Sequence, residues 1–210
     1  FYLVVVNTST RHNGEADAAL GIGIFCRDAS EQNMVGDALH EMGHAFGKLS
    51  DEYLGGGDVE PAINIAKSLD DIPWRSWIEP GWPIPTPDSY VTPASGYKVG
   101  VFLGADKATD YRPTAGSIMR GSMNDMEFGP VNSEALILAI YGKTGPMISV
   151  TPAAGVIRII AGQQQDFTPV TWAEPTTIGT AWYVDGSFFA STKTLTVHFS
   201  DLAVGTHTLK

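Results

Sequence analysis

The spacing of apolar positions along this chain of 210 residues changes several times, and each change marks an element. Residues 1–6, Phe-Tyr-Leu-Val-Val-Val, form an unbroken apolar run that predicts a buried strand. Gly21–Cys26 predicts a second strand, whose glycines admit a close backbone neighbour. From Asn33 to Gly47 the period lengthens: Val35, Leu39, Met42 and Phe46 share one helical face, predicting a helix with that stripe against a core. Ser30 or Asn33 is placed to cap its start and Gly47 to stop it. Asp70–Pro93, with Trp74, Trp77, Trp82 and repeated prolines, is too broken for helix. Asn132–Lys143 predicts a second helix, with Asn132 as N-cap and Glu134 in its first turn.

At Lys143-Thr144-Gly145-Pro146 the pattern gives way to short alternating runs rich in Val, Ile, Thr and aromatics. Met147–Val150, Val156–Ile160, Thr180–Val184 and Leu195–Phe199 read as strands, and Asp185-Gly186 as a hairpin turn. A domain boundary is therefore expected here, giving residues 1–145 and 146–210. The fold class expected is α+β in front and all-β behind. A tryptophan on a middle strand suits an immunoglobulin-like sandwich, one that is incomplete because such folds need about 100 residues. Both chain ends read as strands entered or left part-way, so a longer parent protein with further domains is expected.

Composition narrows the function. Hydrophobic residues make up 43% and charged residues 17%, a core-forming balance that excludes a wholly disordered chain. The net charge of −10 argues against nucleic acid or an anionic membrane as partner, since phosphate binding needs a basic patch. Most of that acidity, 19 of the 23 Asp and Glu, lies in residues 1–145. No apolar run approaches the roughly 20 residues of a membrane span. The single cysteine, Cys26, excludes an internal disulfide framework and any multi-cysteine zinc site; its apolar surroundings predict a buried, inert thiol.

Chemistry concentrates in His40-Glu41-Met42-Gly43-His44-Ala45-Phe46-Gly47-Lys48-Leu49-Ser50-Asp51-Glu52-Tyr53. Two histidines four apart on a helix lie about 40° from each other around the axis, so both imidazoles reach one metal ion from the same side. Glu41 lies about 100° around from His40, beside the ion, where a carboxylate can accept a proton from water and deliver it to a leaving amine. Zinc is the ion this pattern points to. A third ligand is less determined. Position 50 is serine, a poor zinc ligand, which leaves Asp51 and Glu52 as candidates.

His-Glu-x-x-His-x-x-Gly-x-Leu-x-Asp-Glu-Tyr, followed by Val99–Ala105, Tyr111-Arg112-Pro113 and Ser117-Ile118-Met119-Arg120, resembles the metzincin-like peptidase family named after a bacterial IgA-cleaving metalloendopeptidase. The likeness covers residues 1–145. It implies a secreted or surface-attached bacterial zinc endopeptidase acting on a protein or peptide substrate, commonly with accessory β-sandwich domains. It further implies a helix break at Gly47, a methionine turn that sets Met119 beneath the ligands, and a third ligand from the Asp-Glu-Tyr tripeptide. Asp51 is closest in register to the usual third position, so His40, His44 and Asp51 are the expected zinc ligands and Glu41 the catalytic base. The remaining carboxylate, Glu52, then hydrogen-bonds a ligand histidine or braces the loop. One departure is plain: Leu103 stands where the family's Phe-x-Gly-Ala stretch would carry Glu.

Softer candidates surround this site. Tyr53 or Tyr111 could donate to an oxyanion, although half-buried packing is the simpler account. Arg112 and Arg120 flank the methionine turn, where pairing with carboxylates is the simpler account. Gly55-Gly56-Gly57-Asp58 is a flexible loop that could border a cleft, and Trp74, Trp77 and Trp82 could line its wall or pack in the core. The competing reading from another class is a non-catalytic adhesion or binding module with a vestigial or structural metal site.

Overall fold

The apolar run at the start of the chain pairs instead of packing. In the computed structural model, which describes residues 1–8, 14–27, 30–56, 61–91, 98–121, 127–145, 147–171 and 179–210, strand β1 (Tyr2–Val6) lies at one edge of a three-stranded sheet. Strand β2 (Glu15–Asp17) takes the other edge, and β3 (Ile22–Cys26) runs between them, parallel to β1 and antiparallel to β2. The expected burial of β1 is corrected: Tyr2 is 70% and Val5 55% exposed. Helix α1 (Glu31–Ala45) packs mainly on β3 and β2, so the far edge of the sheet receives little cover. Cys26 is buried with a free thiol.

Ser30 caps α1, its hydroxyl accepting the Asn33 N–H at 3.3 Å. The predicted apolar stripe is not its deepest face: Val35 is exposed, and Leu39, Met42 and Phe46 are only half-buried. Gly36, Glu41, Gly43, His44 and Ala45 are buried in their place. The reason is close approach. A Cβ on Gly43 would lie 2.4 Å from Met119 Sδ, and one on Gly23 would lie 3.0 Å from Glu41 Cβ, so small residues mark where α1 meets its neighbours. Nor does Gly47 itself reverse the chain. Lys48 takes the left-handed conformation (φ 56°), while Gly47 is required because a Cβ there would meet Gly43 O at 2.8 Å and Leu136 Cδ2 at 2.9 Å.

Between α1 and residue 129 the described residues are irregular, as the prolines predict, apart from three single-turn 3-10 helices and the short pair β4 (Phe102–Leu103) and β5 (Tyr111–Arg112). Ala66, Ile72, Trp74, Val99 and Val101 pack with Val131 as one core. Trp74 donates from Nε1 to Gly100 O at 2.8 Å, which satisfies its one polar atom. Helix α2 (Gly129–Thr144) starts earlier than predicted, with Pro130 in its first turn. Asn132 is therefore inside the helix and buried instead of capping it, and Glu134 lies past the first turn, accepting from Trp77 Nε1 at 2.8 Å. Leu49, Ile118, Met119 and Ala135 form a second core beneath α1.

The chain divides into two compact units, Phe1–Gly142 and Lys143–Lys210, and its architecture is mixed α+β, with two α-helices and several small sheets among the described residues. In the second unit, β6 (Met147–Thr151) pairs with β7 (Gln164–Thr171). The hairpin of β8 (Trp182–Val184) and β9 (Ser187–Ala190) turns through Asp185 and Gly186, both at positive φ, as the sequence predicts. Strand β10 (Leu195–His198) pairs with β7. Trp182, Leu195 and Val197 are the buried centre. Val156–Ile160 is not a strand; Val156 is fully exposed and only Ile159 reaches the core, so its apolar residues do not share a buried face. Among the described residues, no helix is long and apolar enough to cross a membrane.

The end of the second unit is held by an ion pair. His207 Nδ1 lies 2.6 Å from Asp185 Oδ2 and Nε2 lies 2.9 Å from Ala203 O; neither partner can donate, so both ring nitrogens do and the ring is an imidazolium. The His207 hydrogen bond lowers the Asp185 carboxyl pKa, and the same bond raises that of His207 above its ordinary 6.5. The Asp185 contribution is lost as pH falls through its lowered value; the His207 contribution is complete below pH 6.5 and is lost as pH rises through its raised one. The Thr208 N–H donates to Asp185 Oδ1 at 2.8 Å. Its exchange protection, corrected for the intrinsic rate, is therefore expected to peak in mildly acidic solution and fall above it, and H207Q should flatten that profile. A parent protein without the peak would show that the pair does not hold this segment.

Candidate metal centre

Both histidines of α1 are oriented by backbone carbonyls. His40 Nδ1 lies 2.9 Å from Ile118 O and His44 Nδ1 lies 2.6 Å from Leu49 O. A carbonyl only accepts, so each Nδ1 carries the proton and each Nε2 presents its lone pair. The two Nε2 atoms stand 3.1 Å apart. The left-handed turn at Lys48 brings the chain back beneath the helix, with Leu49 N–H donating to Gly43 O at 3.1 Å, and this return carries Asp51 to the imidazoles. Asp51 Oδ1 lies 3.0 Å from His40 Nε2 and 3.3 Å from His44 Nε2.

Three lone-pair donors thus face one point, and the group His40, His44 and Asp51 could hold a metal ion. The spacing fits a small cation: ligand bonds of about 2.0–2.2 Å at tetrahedral angles separate donor atoms by roughly 3.3 Å. Without a cation the same atoms repel one another unless a proton is shared among them. Burial lowers the His40 pKa, but the hydrogen bonds the protonated ring donates to the Asp51 carboxylate and the Ile118 carbonyl, with the nearby carboxylate charges, outweigh it and hold the ring above its ordinary value.

Glu41 stands beside this group without joining it. It is 4% exposed, and its Oε2 has no hydrogen-bond partner among the described residues. Burial raises its carboxyl to about pKa 6, with His40 and His44 pulling the other way. Gly14 crowds its tip: a Cβ there would lie 2.1 Å from Glu41 Oε1. The donors lie in an open cleft of about 970 Å³, lined by residues 14–20 along β2, by Ile22 and Ile24 of β3, and by Lys48 and Tyr53.

Glu52, the other carboxylate the sequence leaves open, points away from the histidines and is wholly buried. Its Oε1 accepts from Asn64 Nδ2 at 3.0 Å and Asn132 Nδ2 at 2.9 Å, and its Oε2 from Ser117 Oγ at 2.7 Å. Desolvation still raises its pKa, against those three donors and the Arg112 charge. Asn64 also clasps Ser50, accepting its N–H at 3.0 Å and donating to its carbonyl at 2.8 Å. Glu52 N–H donates to Met119 O at 2.8 Å, and the Met119 side chain, 0% exposed, lies under α1 at Gly43. Of the two readings for the leftover carboxylate, bracing the loop is therefore the one observed.

Other candidates fall outside the cleft. Tyr111 packs against the first core, and Arg112 is buried, its guanidinium donating to the Leu103 and Gly104 carbonyls; burial pushes its pKa down to about 10. Arg120 donates to Ala115 O. Trp74, Trp77 and Trp82 do not line the cleft: Trp74 is core, and Trp82 packs edge-on against Tyr90 and Phe102. Leu103 is exposed on β4 and also lies outside it. Of the glycine loop, Gly56 backs onto Asp51, while Gly57 and Asp58 lie outside the described residues. Sequence reasoning missed Asn64 and Asn132 as supports, because their link to Glu52 spans 12 and 80 residues and no local pattern announces it.

Removing the buried carboxylate with Glu52→Ala should destabilise the protein by about 3–5 kcal/mol, since three buried donors lose their acceptor. Glu52→Gln should be far milder: its carbonyl can still serve both asparagines, and the Ser117 hydroxyl can turn to accept from its amide. Calorimetric melting of the full-length chain separates the two, and equal losses would contradict this account. No family model matches the chain, and no curated protein matches it significantly.

Proposed function

We propose that the protein is a zinc-dependent endopeptidase, with His40, His44 and Asp51 as the metal ligands and Glu41 as general base and acid. One observation carries the reading: two Nε2 lone pairs and one carboxylate oxygen converge within 3.3 Å, while a second, unligated carboxylate stands beside them in an open cleft. When bound, zinc supplies Lewis acidity that acidifies water and polarises a carbonyl.

The chain's own residues do the rest. Glu41 accepts the proton of the attacking water on its Oε2 as the water oxygen bonds the carbonyl carbon and the C=O pair moves to oxygen; it then delivers that proton to the amine nitrogen as the C=O re-forms and the C–N bond breaks. Its burial keeps that carboxylate near the reacting atoms and away from competing water. Strand β2 is an edge strand lining the cleft, which suits an extended peptide added along it by main-chain hydrogen bonds. The motif's resemblance to the IgA-peptidase family, with Met119 beneath the histidine helix, supports a metzincin-like front unit. The same resemblance supports an immunoglobulin-like rear unit and a secreted or surface-attached bacterial parent acting on protein.

The test is digestion of a peptide library and an unfolded protein, beside metal analysis. The parent should bind one zinc per chain and lose its proteolysis to a chelator. Glu41→Gln should keep the zinc and lose activity about 10²–10⁴-fold. Stoichiometric zinc with no cleavage of either substrate would favour the non-catalytic binding module, and undiminished cleavage by Glu41→Gln would remove Glu41 from the mechanism.

A further inference from the structure

Tyr53 lines the cleft beside the proposed metal ligands and does little for the core. It is 37% exposed, yet its ring is held on two sides. One face lies over His40, with ring centroids 6.2 Å apart and planes inclined by 28°. Gly121, at φ 74° in the turn after Met119, lies against the ring as well: a Cβ there would approach Tyr53 Cδ1 at 3.3 Å and Cε1 at 3.5 Å. The hydroxyl hydrogen-bonds the Asp51 carboxylate; burial first, then the Asp51 charge and that bond, push the phenol up to about pKa 12.

Asp51 needs such a partner. A carboxylate is free to swivel about its terminal bond, and each orientation points different lone pairs at the histidines. The Gly56 backbone blocks one side, since a Cβ there would lie 2.2 Å from Asp51 Cβ and 2.6 Å from Oδ2. From these contacts we propose that Tyr53 is a positioning residue of the metal centre, its hydroxyl holding the Asp51 carboxylate with Oδ1 turned onto the two Nε2 atoms while its ring steadies His40. A tyrosine present only for packing would serve equally well as phenylalanine; one acting through Asp51 would not.

The inference rests on the metal reading above, and its test separates the two. Zinc affinity is measured by competition with a chromophoric chelator for the full chain, for Tyr53→Phe and for His40→Ala, with melting of each metal-free protein alongside. Tyr53→Phe keeps the stack on His40 and removes only the hydroxyl. It should weaken zinc binding about 10–100-fold, leave metal-free melting unchanged, and shift the visible absorption of the Co²⁺-loaded protein. Parent-like zinc affinity in Tyr53→Phe, with His40→Ala much weaker, overturns the role of Tyr53 and leaves the metal centre standing. A lowered metal-free melting point that accounts for the affinity loss also overturns it, because the effect is then on folding. A parent that binds zinc no better than His40→Ala overturns both.

Discussion

Glu52 places a carboxylate where no solvent reaches, and such a group is tolerated only when its oxygens are fully occupied by donors. Here the donors come from three distant segments: Asn64 in the irregular stretch after α1, Ser117 before the methionine turn, and Asn132 in α2. A donor that moves away is left unpaired in the interior, so one buried group ties these three segments together. Its neighbours in sequence, Asp51 and Tyr53, are held at fixed positions because Glu52 cannot turn outward. The carboxylate that meets the histidines, Asp51, and the buried structural one, Glu52, are thus neighbours in sequence with different surroundings.

The same economy shows in α1. A helix that presents two imidazoles to a cleft has less surface left for apolar burial, and it compensates by burying Gly36, Gly43 and Ala45 and by approaching Met119 closely at Gly43. Met119 fills the space that Gly43 leaves, and the turn carrying it offers Ile118 O to His40. Support beneath the helix and orientation of its ligands therefore come from the same few residues, which is why a methionine remote in sequence belongs to the site without touching the chemistry.

Charge completes the picture. Asp51 and Glu41 bring two carboxylates beside two imidazoles in a partly dry cleft, an arrangement that is costly on its own and favourable around a divalent cation. Arg112 answers Glu52 from within the protein interior, so the cation expected between the histidines is not needed to balance the structural carboxylate.

Much of this was legible in the sequence for local reasons. Helical spacing puts His40 and His44 on one face wherever the helix packs, Ser30 caps it, and Asp185-Gly186 turns a hairpin, because each depends only on residues within a turn or two. Tertiary structure decided what depends on distant partners. It separated Asp51 from Glu52, which are adjacent in sequence, by supplying three buried donors to Glu52 and two imidazoles to Asp51. It took Asn132 from its predicted cap into the interior, left β1 exposed at a sheet edge, and moved the buried face of α1 onto its glycines. Spacing along a chain reports periodicity, whereas which face is covered and which polar group is answered are set by neighbours that spacing cannot name.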